Sequence, residues 1–204
     1  MKYALFFVVF VSFQVQGQKF NTLSEGDKQQ FQKEVQDEIQ TFDSKLQKIA
    51  NASSRRVQKA LIKSLLRKFT TEATIQTASV KSGISTYKIK DYLYDKVPGY
   101  QKRYSVVDVE FVSLQIEDFK PHPSKPNWYI AKYNFVQRFC GVAKGAQRTT
   151  DEGLMNYSYC DLTEKEGSFV LKKAHTVLGA KWKLYFDSIA VEAIEIIEAK
   201  ENDE

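Results

Sequence analysis

The sequence predicts an α+β fold, with helices first and then a run of strands forming a mixed, mostly antiparallel sheet. Two observations carry this. Apolar residues recur at helical spacing across residues 24–69, and after Phe69 the period drops to two. A helical block followed by a strand block, rather than strict alternation, is the α+β order.

The first helix is expected over residues 24–50. Phe31, Val35, Ile39, Phe42, Leu46 and Ile49 step by 4, 4, 3, 4 and 3, which keeps one apolar stripe on a helix. Ser24 followed by Asp27 has the form of a capping box with Asp in the Glu/Gln place. Asn51-Ala52-Ser53 breaks the pattern. A second helix over residues 54–69 turns Val57, Leu61, Ile62, Leu65, Leu66 and Phe69 inward. Arg56, Lys59, Lys63 and Arg67 share its opposite face.

Residues 71–79 read as a short strand, and Ser85 to Val97 as a short helix closed by Pro98-Gly99. Four strands are then expected. Tyr104 to Phe119 sets Val107, Val109 and Phe111 on one face, with Asp108 and Glu110 on the other. Trp128 to Gly141 places Tyr129, Tyr133, Phe135, Gln137 and Phe139 on one face. Asn156 to Lys173 is long, with a kink or bulge expected at Gly167. Lys181 to Ile197 starts as a strand, and its end reads as a short helix. Folding the middle hairpin symmetrically about residue 150 sets Cys140 opposite Cys160. Such cross-strand neighbours have Cα atoms about 4.5 Å apart, within reach of a disulfide.

Residues 1–17 have the layout of a secretory signal peptide. Lys2 supplies the charge, Ala4 to Phe13 the apolar run, and Gln14 to Gly17 a short polar end with cleavage after Gly17. Ten helical residues reach about 15 Å, half a bilayer's hydrocarbon, so no stable membrane span is expected. Removal leaves 204 − 17 = 187 residues and lowers the formal charge from +5 to +4. That charge is too small to imply nucleic acid. The expected location is secreted or periplasmic. Two isolated cysteines lack the paired spacing of a zinc site, so neither a metal nor a cofactor is expected.

Several segments together resemble the nuclear transport factor 2-like superfamily, which includes ketosteroid isomerase and the scytalone dehydratase type. They are Lys68-Phe69-Thr70-Thr71-Glu72-Ala73-Thr74-Ile75, Tyr87 with Tyr92-Leu93, and Tyr104-Ser105-Val106-Val107-Asp108-Val109. Further along come Phe135, Phe139 and Gly141, then Tyr159-Cys160-Asp161 with Thr163 and Lys165, and Trp182 to Val191. The resemblance covers residues 53–195 and is closest to exported bacterial members of unknown function. It implies a cone-shaped domain over 53–197, with a strongly curved sheet wrapped around helices and a pocket at the wide end. Residues 18–52 then form an added N-terminal helix and 198–204 an acidic tail. The resemblance also implies a homodimer through the outer sheet face.

No catalytic motif of the superfamily aligns residue by residue. The acid–base candidates read from the strands are Asp108, Glu110, Tyr133 and Asp161, with His175 at a strand end. His122, between two prolines, reads as a solvent-facing turn residue. Tyr129, Tyr133, Phe135, Phe139 and Trp182 are the expected pocket-lining residues for an apolar or amphiphilic ligand. The function expected is therefore a non-enzymatic exported binding or assembly module, with a small ligand or a protein as partner. The alternatives are an isomerase, dehydratase or hydrolase using the pocket, and a surface protein docking anionic glycans on the Arg56–Lys59–Lys63–Arg67 face.

Overall fold

In the computed structural model the described residues are 23–79, 83–151, 153–176 and 179–197. The expected signal peptide at 1–17 and the acidic tail at 198–204 lie outside them.

Helix α1 spans Glu25–Asn51 and buries all six residues of the expected stripe. Its capping box forms as read: the Asp27 N–H donates to Ser24 Oγ at 3.1 Å, and the Ser24 N–H donates to Asp27 Oδ2 at 3.1 Å. Helix α2, Arg55–Leu66, is shorter than expected because Phe69 already belongs to the first strand. It buries Ile62 and Leu65, whereas Val57, expected inside, is 53 % exposed. Gln58 Nε2 donates to the Ile49 carbonyl at 3.0 Å. That bond satisfies one of the carbonyls left open at the end of α1.

The strands are β1 (Phe69–Ser79), β2 (Gly83–Lys88), β3 (Tyr104–Ile116), β4 (Lys120–Pro121), β5 (Trp128–Ala143), β6 (Tyr159–Thr176) and β7 (Gly179–Ile197). Their order is β2-β1-β7-β6-β5-β3, with β4 also paired to β5. The β1–β7 pair is parallel and the others antiparallel, so the sheet is mixed. Residues 89–102 form short helical turns that link β2 to β3. The helices-first order and the mixed, mostly antiparallel sheet agree with what the resemblance implies.

Three expectations need correction. Residues 85–88 begin no helix; they pair with β1, whose open edge takes Lys88 opposite Thr74 and Ser85 opposite Thr77. The end of β7 is not helical either, since Ile197 pairs with Cys160 and Ile194 with Thr163. There the backbone partners offered by β6 override a locally helix-like pattern. Finally, the sheet is not strongly curled. It is open, ending on the edge strands β2 and β3, and its irregularities are local register shifts.

The interior is strongly aromatic. The Phe42 ring of α1 meets Phe69, Phe186 and Phe111 with centroids at 5.6, 5.4 and 6.1 Å. Gly167 sits where the Tyr133 ring crosses the sheet, and a Cβ there would lie 2.2 Å from that ring. The glycine is therefore required by a close approach. Register shifts between β6 and β7 flank it, at Glu164/Lys165 and Ser168/Phe169.

Helix α1 also covers the open edge of β3. The Asn51 side chain donates to the Val107 carbonyl at 2.6 Å and accepts from the Val107 N–H at 2.8 Å. One amide thus supplies both bonds that a neighbouring strand would make, which blunts an exposed edge. One register position along, where Asp108 pairs with Cys140, Cys140 also pairs with Cys160 in the β5–β6 ladder, and the two form a disulfide with Cα atoms 4.2 Å apart. Among the described residues, no helix is long and apolar enough to cross a membrane.

Candidate functional site

Residues 89–102 arch over one end of the sheet and border a half-open pocket of about 880 Å³. The end of α1 and residues of β1, β2, β3, β5, β6 and β7 also wall it, with Asp95, Lys96, Lys102 and Arg103 among its lining. Strand alternation decides what looks into it. On β5 the inward positions there are Gln137 and Phe139; on β6 they are Tyr159, Asp161, Thr163 and Lys165. The register sets Phe139 opposite Asp161, and Gln137 opposite Thr163.

The walls are aromatic. Tyr100 and Tyr104 approach Phe139 with centroids at 5.0 and 5.8 Å, and Tyr159 lies 6.2 Å from it. The Tyr104 ring can occupy this wall because residue 141 is glycine; a Cβ there would sit 2.5 Å from the ring. Tyr92 is buried beside them, and burial pushes the Tyr100 hydroxyl up to about 12.

The floor is polar. Lys165 is 6 % exposed, and its Nζ donates to Gln137 Oε1 at 2.6 Å. Burial pulls its amine down to about 8, and the Asp161 charge opposes that only in part. Asp161 is 8 % exposed and accepts from Thr163 Oγ1 at 3.1 Å. Burial raises its carboxyl above the usual carboxylate value, while hydrogen bonds from Tyr159 and Thr163 and the Lys165 charge pull the other way. Tyr159 is raised in turn, by burial first and then by donating to Asp161. The result is an apolar, aromatic hollow that ends in an amine, a carboxyl group, a phenol and an amide. It can bind an amphiphile end-on or move a proton.

Two of the residues singled out from sequence meet here: Phe139 on the wall and Asp161 on the floor. The rest lie elsewhere. Tyr133 is buried within the core, its ring stacked on Phe135 at 5.6 Å and its hydroxyl without a partner among the described residues. Phe135 is 4 % exposed in the same core. Tyr129 packs against Trp182 at 5.4 Å, and its hydroxyl accepts from the Leu23 N–H at 3.0 Å. Asp108 accepts from Gln47 Nε2 and the Tyr157 hydroxyl, each at 2.8 Å, and so ties α1 and the 144–158 loop to β3. Glu110 is exposed and paired with Arg138 at 2.6 Å. The His175 backbone pairs with Ala180, and its side chain lies outside what the structure describes. His122 is partly buried, and its Nδ1 accepts from the Ser124 and Lys125 N–H groups, each at 3.2 Å.

Lys165, Gln137, Thr163 and Tyr159 were not singled out from sequence as site residues. The signal was present: Tyr159, Asp161, Thr163 and Lys165 alternate on a strand whose inward face should be apolar. Arg56, Lys59 and Lys63 on α2 and Arg67 just past its end are all exposed, and none forms an ion pair among the described residues. Among the described residues, no cluster of three or more His, Cys, Asp or Glu could hold a metal ion.

No protein-family model matches the chain, and no curated protein matches it. Solved structures similar to it include a provisionally named scytalone dehydratase from Novosphingobium aromaticivorans, at 6% identity and TM-score 0.46. The alignment covers 86% of this chain and 93% of that one. A hexachlorocyclohexane dehydrochlorinase, LinA-type3, from Novosphingobium barchaimii aligns at 12% identity and TM-score 0.45, covering 85% and 94%. No residue role is carried over from either.

Proposed function

We propose that the protein is an exported, non-enzymatic binding module whose pocket holds a small amphiphilic molecule. The observation that carries this reading is the pocket itself, about 880 Å³, with an aromatic wall at Tyr100, Tyr104 and Phe139, a buried polar floor at Asp161 and Lys165, and charged residues elsewhere in its lining. The apolar part of the ligand packs on Tyr100, Tyr104 and Phe139, and its polar end meets Lys165 and Gln137. The hollow comes from residues 89–102 roofing an open sheet, so it needs no closed cone. Export is supported by the residue pattern of 1–17 and by the Cys140–Cys160 bond, which persists in an oxidising compartment. A homodimer through the outer sheet face belongs to the same proposal, and light scattering at high protein concentration tests it.

The test of binding is a fluorescence titration with 1-anilinonaphthalene-8-sulfonate on the oxidised protein. Saturable binding is expected, weakened about tenfold by Phe139→Ala and by Tyr100→Ala, a cost near 1.4 kcal/mol each. Unsaturable binding, or no effect of either substitution, overturns the reading.

A second reading is favoured by one observation: burial moves Asp161 and Lys165 toward neutrality from opposite sides. Such a pair suits proton transfer in an isomerase, dehydratase or hydrolase. In that case Asp161→Asn abolishes turnover while ligand affinity survives. The exposed basic face of α2 supports a third reading, docking of anionic glycans. Charge reversal of Lys59, Lys63 and Arg67 with no loss of heparin binding removes it.

A further inference from the structure

We propose that Lys165 captures its ligand covalently, as an imine formed with an aldehyde or ketone seated in the pocket. The inference rests on the pocket-binding reading above and names the ligand class.

Geometry is the first support. Lys165 points inward from β6, lines the pocket and is almost fully buried. An ammonium has three donors, and the described residues give this one a single hydrogen bond, to Gln137 Oε1. Buried lysines that serve stability are paired with a carboxylate, because an unpaired charge in the interior is costly. Lys165 forms no ion pair among the described residues. Its nitrogen is thus held by one bond at the polar end of an aromatic hollow.

Chemistry is the second. Burial brings the amine to about 8, so roughly a tenth is neutral and nucleophilic at pH 7, over a hundredfold more than for an exposed lysine. The nitrogen lone pair attacks the carbonyl carbon, the carbonyl π electrons move to oxygen, and that oxygen takes a proton, giving a carbinolamine. Nitrogen then loses its remaining protons as the C–O bond breaks. One water leaves and a C=N bond remains, with no change of oxidation state. Asp161, its carboxyl raised by burial, lines the same pocket from the same strand face. The aromatic walls select for an aromatic or conjugated carbonyl compound over a small aliphatic one.

The experiment uses the full oxidised protein with 2-naphthaldehyde and sodium cyanoborohydride, which reduces an imine to a stable amine. Peptide mapping by mass spectrometry locates the label. 2-Naphthylmethanol, the same ring system without a carbonyl, is titrated in parallel by thermal shift. Lys165 is expected to be labelled about tenfold or more faster than the exposed Lys59 and Lys63, with a half-maximum near pH 8. Excess naphthylmethanol should block the label, and Lys165→Arg should lose it. Should that variant not fold, the wild-type peptide map decides alone. If the alcohol binds saturably and Lys165 reacts no faster than Lys59, the imine is refuted and the pocket stands. If the alcohol does not bind and Lys165 is unlabelled, pocket and imine fall together. Selective labelling without alcohol binding upholds the imine and makes the carbonyl essential for affinity.

Discussion

Replacing Gly167 with alanine tests how tightly the centre of the sheet is packed. The added Cβ would lie 2.2, 2.4 and 2.5 Å from Cζ, the hydroxyl and Cε1 of Tyr133. Ordinary carbon contacts are about 3.5–4 Å, so the ring must retreat by more than about 1 Å. It has nowhere to go. Tyr133 is 1 % exposed and confined by Phe169, Phe135 and Phe186 at centroid distances of 4.6, 5.6 and 6.4 Å. Gly167 is not among the glycines with positive φ, so alanine meets no backbone penalty and the whole cost is the contact. Overpacking of this kind costs about 1–3 kcal/mol, and a clash with a locked ring belongs at the upper end. Urea unfolding of the oxidised protein, with a slope of about 2 kcal/mol per molar, should show a midpoint lower by about 1–1.5 M. Tyr133→Leu removes the atoms that clash, so the double variant should recover about 2 kcal/mol relative to the sum of the single changes. A midpoint for Gly167→Ala equal to that of the wild type, or strict additivity in the cycle, refutes the argument.

Reducing the Cys140–Cys160 bond, or replacing both cysteines with serine, should cost about 3 kcal/mol for a loop of 20 residues, read from the same urea midpoints. Asp43 is pushed up to about 7, by burial first, with the backbone at Phe111 opposing and the Asp108 and Glu110 charges adding. Between its ordinary value near 3.8 and about 7, the folded state keeps a proton that the unfolded chain has released. Stability should therefore fall as pH rises through that window and level off above it; Asp43→Asn should flatten the fall, checked by thermal melts from pH 4 to 8. Lys165 has the opposite slope. Its amine is lowered from 10.5 to about 8, so the unfolded chain binds more protons in between and stability should rise with pH across that interval. Lys165→Met should remove that rise. Asn51→Ala should cost about 1–2 kcal/mol by opening both bonds to Val107, and faster hydrogen exchange at the Val107 amide would confirm the cause.

Much of the fold was legible because period and register are local or nearly local properties. The α1 stripe, its capping box and the facing cysteines each depend on residues a few positions apart or on a symmetric hairpin. What sequence missed was set by partners far along the chain. Residues 85–88 are extended because β1 offers an edge, and the end of β7 is extended because β6 runs beside it throughout. The kink or bulge expected at Gly167 has its counterpart in the register shifts on either side of it, but the glycine's role in admitting the ring of residue 133 is visible only once the β5–β6 register is known.

The site was less legible, and for a physical reason. Asp161, Thr163 and Lys165 are polar residues at inward positions of a strand, which on alternation alone could equally face solvent with their neighbours turned in. The decision lies with the opposing strand: Phe139, Gln137 and Phe135 pair with Asp161, Thr163 and Lys165 in turn, so one inward face carries both sets. Residues 89–102 then close over that face at the end of the sheet, and desolvation follows. The polar run on β6 is therefore a cost to folding that an apolar strand would avoid. A lysine held inside by a single amide bond weakens the domain wherever it is charged. Its burial is easier to understand if a ligand, rather than the fold, completes its bonding.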